Sequence, residues 1–391
     1  PLKPSRRGFR LLSIAVLGPV VAGAVVARGQ DEGQDSLFKY LSVFQDVLRL
    51  VRQAYVEEVS MDQLMEGALD GAGDALDDFT TYVPADQVDT YRRVLEVGDR
   101  LSGLVVAKDR GVLYIVSVVE GSPGDAAGLE RGDIVTALAG ESTRTMPLWR
   151  AQTILAGEPG GRVPTSLLQD GVPADVELTL TPFEPPLVSL SEHDGVALIR
   201  IAVLGEGTAE ALRTALETLA EGGTDRGLLI DLRETVSQDM ESAYDVARYF
   251  AGGDLGTLSS REGVIETFLG GGEPVWDGEL VVLLGRGTIG AAEVLASVLQ
   301  EAAGATVVGQ PSYGYAGRLA LLPLSNGAHV RLTDAFYSGP SGEPIRSSLT
   351  PDVEVNERSR RYAEKDLALG ELTLRRAVEV LRGETAVEDA A

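Results

Sequence analysis

The side chains able to carry chemistry are few and unevenly placed. Among 391 residues there is no cysteine, there are two histidines (His193 and His329), and only four lysines (Lys3, Lys39, Lys108 and Lys365). A cysteine nucleophile, a thiolate zinc site and a disulfide framework are excluded, and two histidines are too few for a histidine-rich metal centre. A Ser-His-Asp hydrolase would have to use one of those histidines. His329 falls in a strand-like stretch, 328–332, and His193 near a turn, where histidine is more often a surface or packing residue. The most suggestive local pattern is Gly285-Arg286-Gly287-Thr288-Ile289-Gly290, a literal GxGxxG between an apolar run and a helix. Backbone amides at such a helix start can hold a pyrophosphate. The next strand, however, ends in Gly309-Gln310-Pro311, where a dinucleotide site needs an acid for the ribose. NAD is therefore not expected, and neither is any other cofactor or a metal. Asp70, Asp74, Asp77 and Asp78 lack the spacing of a calcium loop and read as a solvated acidic face.

The elements that must position these residues fall into regions. Residues 11–27 form an uncharged apolar run preceded by Arg6, Arg7 and Arg10, which predicts either a secretory signal or a short membrane anchor within 1–30, and hence an extracytoplasmic body in the periplasm or cell envelope. Five of the 34 basic residues lie before position 31, leaving 29 against 59 acidic residues, a formal −30. So acidic a body repels phosphate backbones, and nucleic-acid binding drops out. Residues 31–98 read as helical, with an amphipathic stretch from Ser36, a plausible N-cap, to Tyr55, and a second from Met61 to Leu76. Residues 99–183 carry short alternating strands, such as 112–116 and 177–180, and many turn glycines. From 184 to 357 apolar strands (196–201, 228–232, 280–284, 305–308) alternate with helical periodicity (208–220, 240–250, 291–303), the signature of an α/β layer with parallel crossovers. A charged helix-like segment and an acidic tail occupy 358–391.

Within the second region, GSPGDAAGLERGDIVTALAG (121–140) joins a turn, a short helix and a strand. This pattern resembles a PDZ domain of the kind attached to bacterial proteases. Ser102-Gly103-Leu104-Val105 stands where such domains keep their carboxylate-binding loop. There, consecutive N–H groups receive a terminal carboxylate while the peptide adds a strand to the sheet edge. Protein C-terminal peptides are the partner that the resemblance implies.

The ordered motifs LDDFTTYVP (76–84), LLIDLR (228–233), AAEVLASVLQEA (291–302), VVGQPSYGYAG (307–317) and LTPDVEV (349–355) resemble the C-terminal processing, or tail-specific, serine peptidases over about 36–357. The resemblance implies an N-terminal helical segment, a PDZ domain and a crotonase/ClpP-like α/β core that cleaves with a serine–lysine dyad. In the family the serine stands three residues before a glutamate and the lysine 25 residues after that serine. Here Glu293 marks the glutamate, the serine position holds Gly290 and the lysine position holds Tyr315. A phenol with a reference pKa of ~10 is a poor base near neutrality. The glycine-rich oxyanion loop of the family is replaced by Glu234-Thr235-Val236-Ser237-Gln238, and Glu234 would oppose oxyanion stabilisation. The acid near the dyad corresponds to Glu301, where the family usually has aspartate. No lysine occurs from 109 to 364, so no small alignment shift restores the dyad. A rearranged site would have to use Thr288, Ser297 or Ser312 with a nearby base.

The leading expectation is an exported pseudoenzyme that binds C-terminal peptides as adaptor or regulator, partnering an active peptidase or forming a homo-oligomer, with a membrane contact if the leader is uncleaved. The rival readings are an active serine-type endopeptidase with rearranged residues and a structural envelope protein.

Overall fold

The computed structural model describes residues 38–98, 101–184, 187–222, 227–237, 239–356 and 370–384. The apolar leader, Ser36 and most of the charged tail, 357–369 and 385–391, lie outside the described residues. The expected N-terminal helices are α1, residues 38–54, and α2, Met61–Asp74. The apolar stripe of α1 is open, with Phe38 67% and Leu41 47% exposed. Among the described residues no helix is long and apolar enough to cross a membrane. β1 (Thr81–Val83) and α3 (Val88–Val97) follow.

The glycine-rich region folds as β2 (Leu104–Asp109), β3 (Val112–Val118), the single turn α4 (Pro123–Ala126), β4 (Ile134–Leu138), β5 (Glu141–Ser142), α5 (Leu148–Leu155), β6 (Arg162–Gln169) and β7 (Val172–Thr179). The sheet runs β2-β3-β4-β6-β7 with β5 on β4, every pairing antiparallel. β2 is thus an edge strand. Period-two alternation turns Leu113, Ile115, Leu167 and Leu178 inward, where they meet Leu148, Ala151 and Leu155 of α5. Ser122 caps α4 by accepting the Asp125 amide at 3.2 Å. Gly103 has φ +70°, and a Cβ there would lie 2.0 Å from Ser122 Cβ, so close packing as well as backbone conformation requires glycine.

The remaining strands and helices are β8 (Val188–His193), β9 (Val196–Ile201), α6 (Thr208–Glu221), β10 (Leu228–Asp231), β11 (Val236–Ser237), α7 (Met240–Ala247), β12 (Asp254–Ser260), β13 (Gly263–Leu269), β14 (Leu280–Leu284), β15 (Ile289–Gly290), α8 (Ala291–Glu301), β16 (Thr306–Gly309), β17 (Gly317–Pro323), β18 (His329–Tyr337), β19 (Val353–Glu354) and α9 (Glu371–Leu381). The main sheet has the order β19-β16-β14-β10-β9-β8, parallel except for the β8–β9 hairpin. Its apolar strands are buried on both faces, as helix crossovers demand. Ile230, Val282 and Leu284 pack with Val246, Val294 and Leu295 of α7 and α8. Leu229, Val281 and Leu283 pack instead with Ala377 and Val378 of α9. A second, antiparallel sheet, β1-β18-β12-β13 with β17 on β18, was foreshadowed in sequence only by the strand-like 328–332.

The acids of α2 and its C-terminal turn correct one expectation, because they are not a solvated face. The Asp70 carboxylate lies 3.2 Å from Lys108 Nζ, with side chains 15% and 4% exposed. Lys108 also donates to the Met146 carbonyl at 2.8 Å. This lysine therefore ties β2 to the end of α2. A buried ion that loses its partner is costly, so Lys108→Ala is expected to lower unfolding free energy by about 3 kcal/mol in urea titrations. Adding Asp70→Leu, which removes the stranded charge, is expected to recover most of that loss.

Candidate functional site

α8 begins where β14 ends, and its first turn is organised by one carboxylate. Glu293, at the third helical position, is fully buried. Its Oε2 accepts the Gly290 amide at 3.1 Å and the Tyr315 amide at 2.8 Å. Its Oε1 accepts the Gly314 amide at 2.6 Å and the Ser312 hydroxyl at 2.5 Å. The reach back to Gly290 is the carboxylate half of a capping box. Burial pushes the Glu293 carboxyl above its ordinary range, opposed by these four donors. The sequence used Glu293 only as a landmark; its burial within an apolar helix run was the signal for this role.

Gly290 and Tyr315 are brought together as the family resemblance implied: the Gly290 amide also donates to the Tyr315 carbonyl at 3.1 Å. Their side-chain positions do not converge on chemistry. Tyr315 is buried against Phe79, with ring centroids 4.5 Å apart. Its hydroxyl meets Thr333 Oγ1 at 2.6 Å, and Thr333 in turn donates to Asp77 Oδ2 at 2.7 Å. Burial raises the phenol above its ordinary value, so it stays protonated. Gly290 has φ +67°, and a Cβ there would stand 2.3 Å from the Ser237 carbonyl oxygen.

That contact is part of a wider approach. β11 pairs in parallel with β15, Val236 opposite Ile289 and Ser237 opposite Gly290. A Cβ at Gly285 would meet the Arg233 carbonyl at 2.9 Å, and one at Gly287 would meet Glu234 Oε2 at 2.4 Å. All three glycines of the GxGxxG thus serve the packing of residues 285–290 onto 233–237. Thr288, buried between them, accepts the Gly285 amide at 3.0 Å and donates to the Leu232 carbonyl at 2.7 Å. Glu234 lies 3.7 Å from Arg131, and its carboxyl is raised by desolvation, with Arg131 and Arg233 opposing.

Other sequence candidates lie apart. Glu301 closes α8, 11 residues beyond Gly290 and so roughly 16 Å along the helix axis. It accepts the Ser297 hydroxyl and the Ser341 amide, both at 2.6 Å. Ser312 donates to Glu293 and accepts the Leu349 amide at 2.8 Å. His329 contacts Arg92 at 3.2 Å, and His193 lies 3.8 Å from Glu371.

Ser102, Leu104 and Val105 of the proposed carboxylate loop line a cavity of about 280 Å³ between β2 and α5. Gln152 and Leu155 of α5 form one wall, and the same cavity extends to Phe79, Val203 and Ser237. The groove is therefore continuous with the segment that covers Gly290. A hydrogen-bonded cluster fixes this junction: Asp78 Oδ2 accepts Tyr114 at 2.8 Å and Tyr313 at 2.6 Å, and the two hydroxyls are 2.6 Å apart. Both phenols are raised, chiefly by burial. Sequence reading missed this cluster because its members are far apart in the chain.

Residues 195–355 match the family described as Peptidase family S41, and residues 114–168 match the PDZ domain. A carboxy-terminal-processing protease of Bartonella bacilliformis is 25% identical over 380 residues, covering 94% of this chain and 88% of that protein. The carboxy-terminal processing protease CtpA of Bacillus subtilis is 26% identical over 364 residues, covering 90% and 78%. Among solved structures, a photosystem II D1 C-terminal processing protease superposes with a TM-score of 0.64 at 24% identity, covering 80% of this chain and 92% of that one, and shares the fold.

The Glu293 arrangement makes a sharp demand. A glutamine amide can accept at one end only, so Glu293→Gln turns its own N–H groups toward buried donors and leaves the Tyr315 or the Gly314 amide unpaired, depending on its orientation. It is expected to destabilise the protein by about 2–4 kcal/mol, read by chemical unfolding. Ser312→Ala, which removes one donor and leaves three, is expected to cost about 1 kcal/mol.

Proposed function

Because the chain belongs to the C-terminal processing peptidase family, we propose that it is an exported member that has lost proteolysis and retains recognition of protein carboxy termini as an adaptor or regulator. Acyl transfer needs a nucleophile, a base and a place for the oxyanion. The observation that carries the reading is the nucleophile position. Gly290 offers no side chain, and the Ser237 carbonyl lies 2.3 Å from where a Cβ would stand. The base position supports it too, since Tyr315 is buried and its hydroxyl is engaged with Thr333. The neighbouring hydroxyls do not meet a neutral base: Thr288 donates to a carbonyl, Ser297 to Glu301 and Ser312 to Glu293.

Recognition has its own support. β2 is an edge strand, α5 faces it, and the groove between them is lined largely by apolar side chains. An extended peptide can pair with such an edge while its side chains enter the groove. Export rests on the apolar leader and its arginine flank.

Incubation with an unfolded substrate bearing an apolar C-terminal tag tests the loss of proteolysis. Wild type is expected to leave the substrate intact, and so is the Gly290→Ser, Tyr315→Lys double variant, because a serine Cβ collides with the Ser237 carbonyl. That variant is also expected to lose about 2–4 kcal/mol of stability from the positive φ and the clash. Steady cleavage by wild type that persists in Gly290→Ala would place an active site elsewhere and overturn the reading.

A further inference from the structure

Among the described residues, the groove between β2 and α5 has a single charged residue in its lining. Leu104 and Val106 of β2, Leu155 of α5, and Phe79 and Leu319 supply apolar walls, while Arg331 of β18 supplies the charge. Among the described residues no acid lines the cavity. In a chain of formal charge −25 this is not the generic surface field, which would favour cations.

Arg331 is held in place without being neutralised. Its guanidinium donates through Nη1 to Tyr91 Oη at 3.2 Å, and Tyr91 Oη donates to Gln152 Oε1 at 2.5 Å. Tyr91 is fully buried, so this relay anchors the guanidinium from α3 and α5 together. Among the described residues Arg331 has no ion pair. Acids close by are committed elsewhere: Asp334 holds Arg318 through two bonds of 2.8 Å, and Asp77 accepts Thr333 and the amides of Phe79 and Thr80. The carboxylate loop, for its part, is partly satisfied internally, because the Leu104 amide donates to Ser102 Oγ at 3.3 Å.

A half-buried guanidinium beside apolar walls, oriented but without a counter-ion, matches the planar two-oxygen geometry of a carboxylate. We propose that Arg331 binds a carboxylate of the peptide in this groove, while apolar peptide side chains pack on Leu104, Val106, Leu155 and Phe79. The carboxylate is either the peptide's terminus or an acidic side chain close to it. The proposal deepens the peptide-recognition reading given above and rests on it. It adds a recognition residue contributed by the peptidase-type core instead of the PDZ region, so the bound peptide touches both.

Fluorescence anisotropy with the full chain and labelled decapeptides tests it. One peptide ends in Val-Leu-Val with a free carboxylate, the second is its C-terminal amide, and the third is an amide ending in Glu-Leu-Val. Wild type is expected to bind the free acid about tenfold or more tighter than the first amide, a difference of about 1.4 kcal/mol. In Arg331→Gln that ratio is expected to fall to about one, and Arg331→Lys, which keeps the charge but not the fork, is expected to fall between. Tyr91→Phe, which releases the guanidinium without removing it, is expected to weaken the free acid about threefold. This variant carries the test should Arg331→Gln unfold. Recovery of tight binding by the Glu-containing amide, lost again without Arg331, would support the proposal with a side chain as the carboxylate source. A full acid-to-amide ratio in folded Arg331→Gln would overturn the proposal while leaving peptide recognition standing. Binding of none of the peptides by wild type would overturn both.

Discussion

The Glu293 carboxylate is the interaction on which the centre of the fold depends. Two amides from the 312–315 loop, one from the start of α8 and one hydroxyl converge on it, away from water. Three of those donors would otherwise be orphans, and the fourth, the Gly290 amide, would keep only the Tyr315 carbonyl: helix starts leave amides unpaired, and a loop crossing the end of a parallel sheet has no ladder to join. One anion satisfies both sets. It also faces the positive end of α8, which further favours a negative group there. The strand-loop-helix joint is thus organised from the third residue of α8.

Given that anchor, the glycine at 290 has a structural consequence. With hydrogen there, β11 approaches β15 closely enough to pair, and Arg233, Glu234 and Ser237 settle on Gly285, Gly287 and Gly290. Glycine's tolerance of φ +67° permits the same turn. The space beside residue 290 is thereby filled by backbone, and a side chain there would have to displace the segment that covers it.

Much of this was legible in the chain. The strands at 196–201 and 280–284, and the helices beginning at 208, 240 and 291, stand where apolar periodicity put them, because both faces of a parallel sheet demand long apolar runs. The proximity of Gly290 and Tyr315 was implied by the resemblance to the peptidase family and not by the residues alone. The second sheet was less readable: of β13 only Phe268 is buried, so no alternation betrays it, and β18 carries Arg331, Thr333 and Asp334 at half-buried positions. The acids of 70–78 were misread for a related reason. Their partners Lys108, Tyr114, Tyr313 and Thr333 are remote in sequence, and a local charge pattern cannot distinguish a solvated carboxylate from one engaged by distant donors.

Those same acids explain why the PDZ region is not a loosely tethered module. Lys108 and Tyr114, on β2 and β3, are bound by Asp70 and Asp78, while Asp78 and Asp77 also take hydroxyls from Tyr313 and Thr333 in the core. Phe79, between them, packs with Ala107 and Val116 on one side and Ile289 and Tyr315 on the other. A short segment after α2 thus joins the groove-bearing sheet to the joint that Glu293 organises. Inter-domain contacts made only of solvated polar groups permit relative motion by default, but half-buried carboxylates with several donors resist it, because separation would leave those donors unpaired. Tyr315 belongs to this apolar cluster at the position where the family has its lysine. Its ring therefore contributes apolar surface to the junction between the groove-bearing sheet and the core.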